Sequence, residues 1–153
     1  MKFLKSFIIF LIINFGALGI GTWLMADGAM DSWYQGLEKA PWTPEGWVFG
    51  SAWTTVMLCF SAYMGFLYLK RPTHKVLKLF IVQFVLNISW NFVFFNQHFI
   101  SAGLINLVLL LIIVTAFFTT YVQDLKGKSI LILPYLAWLC IATSLNLYIY
   151  MYN

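Results

Sequence analysis

Charged side chains are scarce in this chain. Only 9% of its 153 residues are Asp, Glu, Lys or Arg, while 62% are hydrophobic. Soluble domains carry about 25% charged residues, so the composition excludes a soluble globular domain, and its apolar content excludes a disordered chain. The apolar runs are continuous rather than alternating, which argues against a transmembrane β-barrel. The sequence therefore predicts an all-α integral membrane protein with a single domain over residues 1–153.

Side chains that perform chemistry inside membranes are scarce as well. Cys59 and Cys140 lie in apolar runs without a CxxC or Cys/His cluster, which predicts buried packing thiols and no metal site. His74 and His98 fall in or beside connections, which argues against haem fixed by histidine inside a bundle. Apart from Lys78, near one helix end, no charged residue lies within an apolar run, so an ion pump or proton-coupled antiporter is not expected. A Ser-His-Asp hydrolase triad has no members at membrane depth.

Five apolar runs are each long enough to cross a bilayer, which takes about 20 residues. Lys2 and Lys5 flank the first run, but no small-residue cleavage site follows a short apolar core. We therefore interpret this run as a retained helix and not as a signal peptide. The predicted spans are residues 3–25, 47–69, 76–95, 100–122 and 130–152, and residues 26–46 form a long first connection.

The cations predict the orientation of these spans. Under the five-span prediction eight of the nine fall on one side: Lys2, Lys5, Lys70, Arg71, Lys75, Lys78, Lys126 and Lys128. The other side has only Lys39, together with four of the five carboxylates. Cytoplasmic connections are enriched in Lys and Arg, so the pattern predicts a cytoplasmic N-terminus and an outer C-terminus. Because the cations sit at helix ends and not in a patch, nucleic acid is not an expected partner.

Aromatic residues make up 20% of the chain, including seven tryptophans, which is more than interface belts usually need. Gln83, Asn87 and Asn91 recur every four residues and share one helix face. Such a stripe faces the bundle interior, where interhelical hydrogen bonding and ligand contact both remain open. By helix rise, Trp53, Asn87 and Ala142 lie at similar depths, about 9 to 15 Å below the outer end, and could meet in one apolar cavity.

The first connection combines aromatic residues with two prolines. Trp33, Tyr34, Trp42 and Trp47 lie within or next to it. Long aromatic loops often cover binding sites, but tryptophans also rest on lipid headgroups. Both interpretations, a lid and an interfacial loop, remain open.

Three sequence blocks resemble the TspO/MBR family, which comprises tryptophan-rich sensory proteins and the translocator proteins, or peripheral-type benzodiazepine receptors. The blocks are residues 33–54 (WYQGLEKAPWTPEGWVFGSAWT), 83–95 (QFVLNISWNFVFF) and 134–146 (PYLAWLCIATSLN). Their order and spacing match over about residues 5–153. The resemblance implies a bundle of five transmembrane helices, a first loop that acts as a lid, and homodimers in a bacterial cell membrane.

The family resemblance also implies a ligand and a site. The ligands would be protoporphyrin IX or a haem-type tetrapyrrole and isoquinoline-carboxamide drugs, with no required cofactor. Carried over by motif, the lid residues are Trp33 and Tyr34, and the ligand-binding walls are Trp53, Asn87, Trp90, Trp138, Ala142 and Leu145.

Some positions depart from the family pattern. The usual Lys-Pro is Lys39-Ala40, the usual Pro-Pro is Pro44-Glu45, and a usual Tyr is Met57, which bears on lid stiffness and one pocket hydrogen bond. No basic residue follows Tyr148, so the weak sterol motif is absent and sterol binding is less expected than porphyrin binding.

Three functions follow from the resemblance and the composition. The first is a porphyrin-binding membrane protein acting as a sensor, regulator or translocator. The second is an enzyme that degrades porphyrin with light and oxygen, in which Trp33 and Trp138 would be the redox-active catalytic residues. The third is a structural or partner-regulating membrane protein.

Overall fold

All 153 residues are described by a computed structural model, in which 86% of the chain is helical and no strand is present. The helices are α1 (Lys2–Leu24), the short α2 (Ser32–Gly36), α3 (Gly46–Lys70), α4 (His74–Asn91), α5 (Ile100–Leu125) and α6 (Leu133–Tyr152). A 3₁₀ turn, Gly28–Met30, precedes α2. A π-helical turn, Phe92–Asn96, continues α4, and a 3₁₀ segment, Lys126–Ile132, joins α5 to α6.

Four segments are long and apolar enough to cross a membrane, residues 2–30, 46–70, 74–96 and 100–152. The last has 53 residues because the 3₁₀ segment joins α5 and α6 without a break. These two helices have 26 and 20 residues, or about 39 and 30 Å of length, and each is long enough to cross a hydrocarbon core of about 30 Å. Five long helices therefore correspond to the five predicted spans, with ends shifted by a few residues.

Polar caps account for the clearest shifts. The Thr73 side chain accepts a hydrogen bond from the backbone N–H of Val76 at 3.3 Å, so α4 begins at His74, before the predicted start. Asp31 accepts from the N–H of Trp33 at 2.7 Å, which starts α2 inside the stretch that was expected to be a plain connection. Such caps satisfy N–H groups that a helix start otherwise leaves unpaired.

The five long helices form a closed ring. α1 packs against α3 and α4, α3 packs against α6, and α5 lies between α6 and α4. Small residues allow the closest approaches, since a Cβ added at Gly65 of α3 would lie 3.3 Å from the backbone of Phe7. Ala17 and Gly21 of α1 are buried, and a Cβ on Gly21 would meet the Asn91 amide at 2.7 Å. This small-residue pair therefore serves packing within the chain.

The interior is filled in one half of the bundle. Phe60 is fully buried, with ring contacts to Tyr63, Phe80, Phe117 and Tyr135 at centroid distances of 5.2 to 6.2 Å. Large apolar side chains on the outer faces, such as Ile12, Ile81 and Ile105, are exposed, as expected of surfaces that face lipid.

One thiol prediction is wrong. Cys59 is partly buried, but Cys140 is exposed, because it lies beside the exposed Ile141 on the outward side of α6. The sequence shows that both cysteines lie in apolar helices, but it does not show which side of each helix faces the bundle.

The two ends of the bundle differ in charge. At one end Arg71 and Asp124 form an ion pair of 2.9 Å, and Lys128 lies over the Phe66 ring. The hydrogen bond from Arg71 to Asp124 raises the pKa of the guanidinium further. The opposite end holds the first connection (residues 26–45), the turn at residues 97–99 and the C-terminus, where the Glu38 N–H donates to the Asn153 side chain at 2.9 Å.

Candidate functional site

A cavity of about 550 Å³ lies between α1, α3, α4 and the first connection. Its volume falls in the range of about 300–1,000 Å³ that small-molecule sites occupy. The lining residues are Ala17, Leu18 and Thr22 from α1, and Met25 directly after it; Ala29, Tyr34, Gln35, Lys39, Thr43 and Pro44 from the first connection; Gly46, Phe49, Gly50, Trp53 and Thr54 from α3; and Asn87, Trp90, Asn91 and Phe95 from α4 and the π turn.

Indole rings form two of the cavity walls. Trp53 meets Tyr135 and Trp138 edge to face, at centroid distances of 6.1 and 6.4 Å. On the α4 side, Trp90 stacks on Phe94 at 5.6 Å with an interplanar angle of 7°. Aromatic pairs of this kind contribute about 0.5–1.5 kcal/mol each beyond their buried area. Both indoles are therefore held in place before any ligand arrives.

The amide stripe of α4 divides between two roles. Gln83 Nε2 donates to the Tyr135 hydroxyl at 2.7 Å, away from the cavity. Asn87 and Asn91 lie one and two turns further along and line the cavity. The indole N–H of Trp90, on the same helix, is buried without a hydrogen-bond partner. The Asn87 and Asn91 amides therefore give this wall donors for a ligand with acceptor atoms.

Lys39 is the one charged side chain on the cavity. Its ammonium lies 4.9 Å from the centroid of the Tyr34 ring and donates to the carbonyl of Gln35 at 3.1 Å. Burial raises the pKa of Tyr34 above its ordinary value, so the phenol stays neutral at physiological pH. The mouth of an otherwise uncharged cavity is therefore positively charged.

Aromatic contacts attach the first connection to the end of α4. Trp33 stacks on His98 at 4.1 Å and 15°, and its ring meets Phe94 edge to face at 5.6 Å. His98 Nε2 also lies 3.5 Å from the Asp31 carboxylate.

The same connection reaches α6 on the other side. Trp42 packs against Tyr148 at 5.5 Å, and its N–H donates to the Ser144 hydroxyl at 3.2 Å. Residues 26–45 are thus anchored to two helices that lie on different sides of the bundle.

The sequence matches the TspO/MBR family over residues 8–151. The chain belongs to the TspO/MBR family. A "Tryptophan-rich protein TspO" of Archaeoglobus fulgidus is 32% identical, with 100% of this chain and 97% of that protein covered. The human "Translocator protein" is 33% identical over 74% of this chain and 70% of its own length. A "Tryptophan-rich sensory protein" of Cereibacter sphaeroides is 29% identical over 76% and 73%.

Family membership and the apolar helices together make this a multi-pass membrane protein. The resemblance stated from the three sequence blocks is confirmed. The all-helical fold expected of a TspO/MBR protein is confirmed as well.

The structure brings together four of the eight site residues expected from the TspO/MBR motifs, namely Tyr34, Trp53, Asn87 and Trp90, which line the cavity. The other four are absent from its lining. Trp33 lies against His98, and Trp138 lies behind Trp53. Ala142 and Leu145 are buried on α6, 7% and 6% exposed.

Several lining residues were not expected from the sequence. On α3, Gly46, Phe49 and Gly50 precede the expected Trp53 at spacings of three and four residues, so all four share one helix face. Asn91 belongs to the amide stripe but not to the family-derived set. Both signals were present in the sequence as periodicity.

Proposed function

We propose that this TspO/MBR protein binds protoporphyrin IX or a related tetrapyrrole in the cavity and acts as a sensor, regulator or translocator. The observation that carries the proposal is one partly open cavity with indole walls and Lys39 as the single cation of its lining. The names of its relatives, sensory protein and translocator protein, agree with a role in detecting or moving a small ligand.

The cavity matches the chemistry of a porphyrin. The macrocycle is flat and apolar across its face, so it needs aromatic surfaces, which Trp53 and Trp90 supply. Asn87 and Asn91 offer amide donors. The two propionates are anionic, and a buried unpaired charge is costly. They belong at the mouth, where Lys39 can meet one of them.

In this proposal the first connection is the lid. Tyr34, Gln35 and Lys39 contribute to the cavity wall, while Trp33 and Trp42 attach the connection to α4 and α6. Release of these attachments would open the mouth without disturbing the helices. If the cations mark the cytoplasmic side of the membrane, the end of the bundle that carries the lid is the outer end. The N-terminus then lies on the cytoplasmic side of a cell membrane and the C-terminus on the outer side.

The first experiment is a titration of the detergent-purified protein with protoporphyrin IX. We expect quenched tryptophan fluorescence and shifted porphyrin bands, because the ligand would lie against Trp53 and Trp90. Saturable quenching supports binding, and its absence contradicts the proposal. Illumination of the complex in air then separates binding from degradation, since only degradation bleaches the porphyrin into a new absorbing product.

A second pair of titrations tests the role of the cation. Lys39→Gln should weaken protoporphyrin IX binding by roughly two- to fivefold, the range expected for a partly exposed ion pair. The dimethyl ester of the same porphyrin lacks the anionic propionates, so its affinity should be the same for parent and variant. An equal loss for acid and ester would show that Lys39 does not contact a propionate.

A further inference from the structure

A second groove lies at the basic end of the bundle and shares no lining residue with the porphyrin cavity. It has a volume of about 470 Å³ and runs between α1, the end of α3 and the start of α4. Its α1 side is Lys2, Lys5, Ser6, Ile9, Phe10 and Ile13. These positions follow spacings of three and four residues, so one continuous face of α1 forms the groove.

The deeper part of the groove is an apolar trough. Phe10 is 5% exposed and forms its floor. The Phe10 ring meets Phe80 at 5.0 Å and Tyr68 at 5.9 Å, both edge to face. Ile9 and Ile13 flank this floor and are partly exposed. From Lys5 to Ile13 the trough is about 12 Å long, most of the depth of about 15 Å of one leaflet.

The shallow end of the groove is cationic and has an unpaired hydroxyl. Lys2 and Lys5 lie one turn apart, and neither forms an ion pair. Ser6, on the same face, is only 8% exposed, and its hydroxyl has no hydrogen-bond partner. The start of α1 adds the partial positive charge of a helix N-terminus. The shallow end of the groove therefore combines unpaired positive charge with a buried polar atom that has no partner.

We propose that this groove binds one anionic phospholipid, with the phosphate between Lys2 and Lys5 near the Ser6 hydroxyl and an acyl chain along Phe10. The positive charge of Lys2 and Lys5 favours a ligand with a negatively charged headgroup. A zwitterionic lipid brings no net negative charge, and a soluble acidic peptide would leave backbone groups unpaired in the apolar trough. The site is independent of the porphyrin cavity, whose α1 residues begin four positions beyond Ile13.

A neighbouring groove supplies the matched control. It lies at the same end, between Phe3, Phe66 and the 3₁₀ segment, and includes Lys126 and Lys128. Lys70 and Asp124 also line it. Its cations are engaged within the protein, because Lys70 donates to the Asp124 carbonyl and Lys128 lies over the Phe66 ring. Removal of two charges there changes the net charge of the protein by the same amount as removal at Lys2 and Lys5.

The test is native mass spectrometry of the purified protein with phosphatidylglycerol or phosphatidylcholine of identical chains. We expect phosphatidylglycerol to bind more tightly. Lys2→Gln/Lys5→Gln should weaken it roughly thirtyfold, since each lysine beside anionic headgroups contributes on the order of fivefold. Lys126→Gln/Lys128→Gln should weaken it much less, and Ser6→Ala should weaken it without altering phosphatidylcholine binding.

Two results would overturn the proposal. Equal losses in the two double variants would show general attraction of anionic lipid to a basic surface. Equal affinity of the parent protein for the two lipids would show that the groove does not select charge. The measurement is made on the purified bundle, so it does not depend on how the variants are oriented in a cell.

Discussion

Replacement of Trp33 with alanine should loosen the lid without touching the ligand. Trp33 does not line the cavity, yet it holds the first connection through a stacked contact with His98 and an edge contact with Phe94. At about 0.5–1.5 kcal/mol for each aromatic pair, the loss of both contacts shifts the opening equilibrium by about 1–3 kcal/mol. That energy corresponds to an open population roughly five- to 150-fold larger.

The measurable consequence is kinetic. Protoporphyrin IX should dissociate from Trp33→Ala at least fivefold faster than from the parent, because release requires the open state, while its Kd should change less. Dissociation can be followed by porphyrin fluorescence after mixing with excess serum albumin as an acceptor. The matched control is Trp23→Ala, which removes an indole that is 80% exposed on α1. Equal dissociation rates for Trp33→Ala, Trp23→Ala and the parent would refute the lid and leave an interfacial loop.

Two further predictions concern orientation and stability. In a background without native cysteines, Asp31→Cys and His74→Cys should be labelled from opposite sides of the membrane by an impermeant reagent, and labelling of both from one side would contradict the cation-derived orientation. Tyr135→Phe removes the acceptor of the buried 2.7 Å hydrogen bond from Gln83. It should lower stability by about 0.6–1.7 kcal/mol, seen as a lower Tm in detergent with unchanged porphyrin affinity, whereas an unchanged Tm would show that the bond contributes nothing.

The helices could be predicted from sequence because each is a continuous apolar run, and membrane-spanning backbone must pair within its own segment. Their exact ends depended on caps such as Thr73, whose hydrogen bond forms only in the folded chain. The π turn after Asn91 had no comparable signal. The length of an apolar run therefore predicts that a helix exists, but it defines the first and last residues of that helix only to within a few positions.

The candidate site could be predicted only in part, for a geometric reason. Periodicity shows which residues share a helix face, so Trp53 and Asn87 were expected at similar depth, and both line the cavity. It does not show which neighbour each face meets in the ring. Trp138 and Ala142 share a face of α6, but α6 lies behind Trp53, so that face packs into the core and not onto the cavity.

The central claim is that the porphyrin occupies the space between α1, α3 and α4, and Gly50→Phe tests it most directly. Gly50 lines that cavity on α3, and a Cβ added there meets no atom within 4 Å. A side chain at this position therefore starts in open space, and replacing a helical glycine does not weaken α3. Gly19→Phe is the control, because Gly19 also has nothing within 4 Å but lies outside the cavity lining.

The measurement is the Kd of protoporphyrin IX for these two folded variants. We expect Gly50→Phe to weaken binding at least tenfold and Gly19→Phe to bind like the parent. Parent-like affinity in Gly50→Phe would contradict the account and place the porphyrin outside this cavity.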